Sequence, residues 1–518
     1  MPAIVSDQFR ILNAANFVSD VSDSNNSYYV VLGLANPTQV GFGRSSNWDN
    51  STPYPVDDFN YSNHVRDTML FGKKITKDNI RRLIRRVDWT QGTIYEMYRH
   101  DYSIQSPSPV TNSTRLYDAN YYVMNTDFQV YICLQNGSSG INTVGNQSLD
   151  EPTFTDLEPS KAGNSGDGYV WKYMYTVSPG DIIKFDTLEY IPIPNDWETV
   201  TGPVASVRDN GNSDVNLNQI KTVYIEKQGA GYGIGQNQPV DILGDGTGGK
   251  AVLSVDSSGK ITSATVSSGG SGYSFGIVDL SSINTGSITD RAFLIPIIPP
   301  TKGHGFNAYN ELGADKVLIY ARFDDIGDFP TSTKFAQVGL LKNPLSVGST
   351  SVQSSNSFSS TNAIVLNTIS DVTQITVGSK ISQTIGAGVT AFGWITSFDN
   401  TTNVVRYAQD RSLYFNQSTT NQEDDPFASR QSFIKHAFTS AVANVTIGSA
   451  SCTINTGFTG INTVSSSGAL VDLGINFTSG LSGPEIEVSS GELIYIDNRQ
   501  TVSRNLRQRE DVKIVLEF

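Results

Sequence analysis

Between Gly166 and Pro194 the chain reads GDGYVWKYMYTVSPGDIIKFDTLEYIPIP, and its rings keep a period of two. Tyr169, Trp171, Tyr173 and Tyr175 alternate with Val170, Lys172, Met174 and Thr176. An extended strand would put all four rings on one face, because successive side chains of a strand point to opposite sides. The alternation therefore predicts a half-buried strand. Ser178-Pro-Gly-Asp181 reads as a turn, and a second extended run ends in Ile191-Pro-Ile-Pro194, so an aromatic strand pair is expected. The stretch offers no histidine, no cysteine and no acids facing a nucleophile. It is built for packing and assembly.

The rest of the chain points the same way. Of 518 residues only 17% are charged, against 46 glycines and 20 prolines, the balance of a turn-rich β protein. The expected class is mainly β: several sandwich or barrel modules with few short helices, because a chain this long exceeds one core. The apolar runs are short and broken, as in Phe293–Pro300 (FLIPIIPP), well below the roughly 20 residues of a membrane helix. The start, MPAIVSDQFR, lacks the basic and apolar regions of a signal peptide. No membrane partner is expected.

Cys133 and Cys452 lie in segments that read as separate domains, so both are expected to be small buried hydrophobes, suited to a reducing cytosol. His64, His100, His304 and His436 are scattered, without HxH, HExxH or CxxC spacing. His304 stands between two glycines with no acid expected beside it, and reads as a loop residue. No catalytic set, metal site or cofactor site is expected. The formal net charge of -14 argues against nucleic acid as a partner. The one basic run is Arg81-Arg82-Leu-Ile-Arg85-Arg86. Ile80, Leu83, Ile84 and Val87 follow helical spacing, which predicts an amphipathic helix capped by Thr76. Its arginines would face solvent or pair with a protein partner.

An internal repeat marks the region after Pro203. Gly229-Ala-Gly-Tyr232 recurs as Gly270-Ser-Gly-Tyr273, with two strands between them joined at Asp256-Ser-Ser-Gly259. This is read as a small duplicated β module. No Lys-Ser/Thr and no helix pattern follow, so the glycines serve turns and not phosphates. Gly244-Asp-Gly-Thr-Gly-Gly249 is like a calcium-repeat fragment, but it occurs once and is also read as a turn. A second Ser/Thr/Asn-rich region follows Leu345.

Three separated segments carry a resemblance to a known family. These are FGRSSNW (Phe42–Trp48) with PYPVDD, RRVDW (Arg85–Trp89) with GDGYVWKYMY, and GELIYIDNRQ with the closing KIVLEF. KFAQVGLLKNPL joins them. Together and in this order they resemble the β-rich, homodimeric baseplate wedge subunit of contractile-tailed bacteriophages of the T-even type. The resemblance covers residues 1–203, 291–345 and 486–518, read as one scaffold. Residues 204–290 and 346–485 have no counterpart and read as two β modules inserted into surface loops, where insertion costs little.

The family implies a non-enzymatic, late virion protein of the tail baseplate, assembled in the host cytoplasm. Its implied partners are a second copy of itself, other wedge proteins, and tail-fibre or adjacent wedge proteins at the inserts. Interfaces draw on aromatic and arginine anchors. Trp48, Arg85, Arg86, Trp89, Tyr95 and Tyr98 lie near the matched motifs and are the interface candidates. The competing reading is a receptor-binding or glycan-degrading tail protein. It would need two carboxylates at a set separation, and Asp241, Asp245 and Asp256 fit turns and strand edges better.

Overall fold

The computed structural model describes residues 4–37, 48–211, 217–284, 287–324, 333–409, 436–465, 467–504 and 508–518. Strands dominate, as expected for a mainly β chain, and five α-helices are found among the described residues. The chain divides into two compact units. One comprises Met1–Val18, Arg81–Leu318 and Val515–Phe518; the other comprises Ser19–Ile80 and Ile319–Ile514.

The first unit is organised by the aromatic strand, Tyr169–Thr176, in a sheet with Tyr122–Met124 and Gln129–Asn136. Gln129–Asn136 turns back on Tyr122–Met124 through Asn125, whose Oδ1 accepts the N–H groups of Asp127 and Gln129. Trp171 stacks on Tyr169 at 5.3 Å, and both meet Tyr95 edge-on. The other face is not solvated as the alternation predicted. Lys172 and Met174 are buried too, because the unit places further elements over both sides of the sheet. Lys172 keeps its amine satisfied by donating to Leu157 O at 2.8 Å. Cys133 is a free thiol fully inside this core.

The expected strand pair does not form. Ser178-Pro-Gly-Asp181 opens a helix, Pro179–Phe185, with Ser178 Oγ accepting Asp181 N–H at 3.1 Å and Pro179 in the first turn. A serine cap followed by proline suits a helix start as well as a turn. The following strand, Tyr190–Pro192, pairs instead with Ile80–Arg85. That second partner is the larger correction: the basic run is a strand, not a helix. Thr76 and Asn79 close a single 3-10 turn, Lys77–Asn79, after which the chain extends. Six residues hold too few turns for the period of 3.6 to outweigh β-branched Ile80 and Ile84 and an available partner strand.

The repeat folds as a four-stranded sheet in which Thr247–Val255 and Ile261–Ser271 are joined at Asp256–Gly259, the predicted turn. Asp256 Oδ1 accepts from the N–H groups of Ser258 and Lys260. Both Gly-x-Gly-Tyr copies take the same form. Gly229, Gly231, Gly270 and Gly272 all have positive φ, and Tyr232 and Tyr273 drop into the module core. Tyr273 Oη accepts Gly249 N–H and donates to Ile242 O, each at 2.9 Å; Tyr232 Oη accepts Ala292 N–H at 2.9 Å. Val207 and Tyr224, within residues 204–290, belong to the core around the aromatic strand.

In the second unit Met69–Ile75, Tyr28–Gly33, Lys334–Lys342 and Glu492–Ser503 run as consecutive neighbours of one sheet. A six-stranded barrel stands beside them in the sequence, and one strand closes it. Asn362–Ile369 pairs over Asn362–Val365 with Val404–Ala408 and over Leu366–Ile369 with Ala450–Ile454. Ile364 and Leu366 point inward with Ile381, Val405, Ile447 and Cys452, whereas Ala363 and Val365 are covered outside by Ile475 and Phe477.

Candidate interaction site

The arginines of the Ile80–Arg85 strand diverge because neighbouring residues of a strand face opposite ways. Arg81 pairs with Asp181 at 2.9 Å and lies 4.7 Å over the Phe185 ring. Arg82 turns inward, donates to Ile11 O and Ala314 O, and sits 3.9 Å above Tyr309. Burial pulls its pKa down to about 10. Arg86, just past the strand, holds Asp88 at 2.9 Å and Asp186 at 2.8 Å. Burial works against its charge, but these two carboxylates raise its pKa overall. Arg85 is exposed, and its guanidinium donates only to backbone, reaching Ala119 O at 3.0 Å.

The aromatic candidates go to the chain's own interior. Tyr95 is 2% exposed; its hydroxyl accepts Thr90 N–H at 2.6 Å and donates to Asp88 O. Tyr98 is 5% exposed and meets the His304 ring edge-on at 4.9 Å. Trp89 is partly buried against the same core and donates to Ser148 Oγ at 3.0 Å. Trp48 belongs to the second unit, where it packs with Leu34, Val65 and Ala336 and donates to Arg499 O at 2.7 Å. The structure thus brings Tyr95, Trp89 and Tyr98 to one core and leaves Arg85 facing solvent.

Arg85 lines a cleft of about 350 Å³ in the first unit, walled by the helix Asp7–Ser22 and by residues 115–122, 189–190 and 312–316. Most of its charges are already matched. Arg115 pairs with Asp7 and lies 3.8 Å from Asp118, and Lys316 holds Asp315 at 2.9 Å. Tyr190 Oη donates to Glu517 at 3.0 Å, and burial together with that carboxylate pushes its pKa up to about 12. Arg10 and Glu189 line the same cleft, and neither side chain has an ion pair or hydrogen bond among the described residues.

His304 lies in a turn, as read from the sequence, but it does have an acid beside it. Glu311 takes His304 Nδ1 at 2.6 Å and Gly305 N–H at 2.7 Å, and both side chains are buried. The approach is made by the short helix Ala308–Leu312, capped by Asn307 Oδ1 and ended by Gly313 at φ 74°. That Asn-x-x-x-x-x-Gly frame was a local signal for the helix, though not for its contact with His304. The pair works as a core hydrogen-bond hub: Tyr98 covers one side, and Tyr121 donates to Glu311 O at 2.6 Å. The acids of the competing reading serve the fold as well. Asp245 accepts from Ser274 and Phe275, Asp256 holds its turn, and Asp241 stands 3.4 Å from Lys250 on the paired strand.

No protein-family profile matches the chain. It is similar to a phage baseplate protein. Baseplate wedge protein gp8 of Enterobacteria phage T4 is 24% identical over 216 residues, which cover 37% of this chain and 60% of gp8. The chain thus spans about three fifths of the length of the curated relative it matches.

Proposed function

We propose that the chain is a structural component of the wedge of a contractile phage tail baseplate, acting through protein contacts and without catalysis. The similarity to T4 gp8 carries this reading. The fold supports it. The rings and acids that could have served chemistry are committed to packing, caps and turns, leaving ion-pairing surface as the working part. Two finer proposals follow: the chain forms a homodimer, and residues 204–290 and 346–485 meet fibre or adjacent wedge proteins. The site of action is the virion baseplate, with assembly in the host cytoplasm.

Mass spectrometry of baseplates stripped from purified virions should find the chain in a fixed ratio to other wedge proteins. Its absence from baseplates that are otherwise complete removes the proposal. Sedimentation equilibrium at micromolar concentration tests the dimer separately, and a monomer there retires that part alone.

A further inference from the structure

We propose that the cleft lined by Arg10, Arg85 and Glu189 is a docking pocket for a mixed-charge segment of a neighbouring wedge protein. Arg10 and Arg85 receive acidic side chains, and Glu189 receives a lysine or arginine. The proposal rests on the baseplate reading and adds the chemistry of the contact.

Charge accounting within the cleft carries it. Arg115 is satisfied by Asp7 and Asp118, and Lys316 by Asp315. Arg10, Arg85 and Glu189 remain, and none of the three has an oppositely charged partner among the described residues, though all line one concavity of about 350 Å³. In the same run Arg81 and Arg86 each hold a carboxylate within 2.9 Å, and the buried Arg82 is held by two backbone carbonyls and the Tyr309 ring, so Arg85 is the exposed arginine of the run with no carboxylate among the described residues. Arg85 is also held in place. Its Nη2 donates to Ala119 O at 3.0 Å and to Asp118 O at 3.4 Å beside Tyr122, which positions the guanidinium without placing a carboxylate on it. A guanidinium already positioned loses less side-chain entropy on binding.

The residual pattern of two cations and one anion selects the occupant. A polyphosphate or nucleic acid would meet Glu189 and the matched acids around it, in a chain of net charge -14. A peptide segment carrying two acids and a base is complementary to all three groups. The volume accommodates a few side chains, not a folded domain.

The test supplies the full chain in trans during infection by a phage lacking its gene, and measures chain per purified baseplate by quantitative mass spectrometry. The chains are wild type, Arg10→Glu/Arg85→Glu, and Glu189→Arg. Each reversal is expected to lower incorporation about tenfold or more, with melting unchanged, since charge reversal converts attraction into repulsion. If the double reversal does not fold, Arg10→Gln/Arg85→Gln replaces it, with a smaller loss expected. Normal incorporation of the variants overturns the pocket and leaves the baseplate reading intact. No incorporation of wild type removes the baseplate reading itself. Two further results overturn the pocket whatever the level of incorporation: saturable sodium sulfate binding lost in the double variant marks a small-anion site, and loss of self-association marks a contact between copies.

Discussion

Replacing Glu311 with leucine removes the acceptor at the centre of the buried histidine hub. Glu311 is 2% exposed, and its two oxygens take Gly305 N–H at 2.7 Å and His304 Nδ1 at 2.6 Å. Leucine fills most of the space but accepts nothing, so one amide and one ring nitrogen lose their partner where water does not reach. An orphaned buried polar group costs about 1–3 kcal/mol, so two cost about 2–6 kcal/mol. Burying the leucine in place of a carboxylate offsets about 1–2 kcal/mol of this. The expected net loss is about 3 kcal/mol.

A chain of two units has no single unfolding free energy, so the assay must read each unit separately. Urea titration with hydrogen-exchange mass spectrometry does so, following peptides over residues 166–177 and 300–312 for one unit and 362–408 for the other. With a urea slope near 2–3 kcal/mol per molar, the first unit's midpoint should fall by about 1 M while the second stays put. Adding His304→Leu to Glu311→Leu should recover about 1–3 kcal/mol, because only the Gly305 amide then lacks a partner. A single-variant shift below about 0.3 M refutes the hub reasoning, since the slope makes that under about 1 kcal/mol.

Two other expectations concern the duplicated module. Asp245 is fully exposed, and its pKa falls from 3.8 to about 2 because the Ser274 hydroxyl and N–H, then Phe275 N–H, donate to it. A folded pKa below the unfolded one means the carboxylate supports this turn above about pH 4 and loses that support as pH falls towards about 2. The protection factors of the Ser274 and Phe275 amides, taken against the intrinsic exchange rate at each pH, should therefore fall between pH 4 and 2, and Asp245→Asn should flatten that dependence; an unchanged profile in the variant refutes it. Gly270→Ala should destabilise the module by more than about 3 kcal/mol, because it adds backbone collision to the roughly 1–2 kcal/mol of a left-handed residue. The new Cβ would lie 2.3 Å from Thr247 O at φ 60°. Gly166→Ala is the control, with φ 73° and open space around it. Equal melting losses for the two alanines would show that the close approach is not enforced.

Several features were legible because their causes are local. The period of two around Trp171 specifies an extended strand whatever lies beyond it. Asp256-Ser-Ser-Gly259 is a turn through its own hydrogen bonds, and each Gly-x-Gly-Tyr places its tyrosine through its own backbone. Of the cleft residues, Arg85 was named from the sequence because it stands in the RRVDW motif, whereas nothing local marked Arg10 or Glu189. The rings were harder to place. Trp48, Tyr95 and Tyr98 have the residue types of interface anchors, but a core and an interface select the same large apolar groups.

What the sequence determined by itself was the β class, the Asp256–Gly259 turn and the aromatic strand, since propensity and period act within a few residues. Tertiary structure decided the rest. It made Ile80–Arg85 a strand by giving it Tyr190–Pro192 as a partner, and buried Lys172 and Met174 by covering both faces of their sheet. It closed the barrel by splitting the pairing of Asn362–Ile369 between two strands, and brought Glu311 onto His304. In the cleft it also matched Arg115 and Lys316 with acids while leaving Arg10, Arg85 and Glu189 unmatched among the described residues. Those outcomes depend on which distant groups meet, and charge or polarity read along a chain does not report who stands opposite.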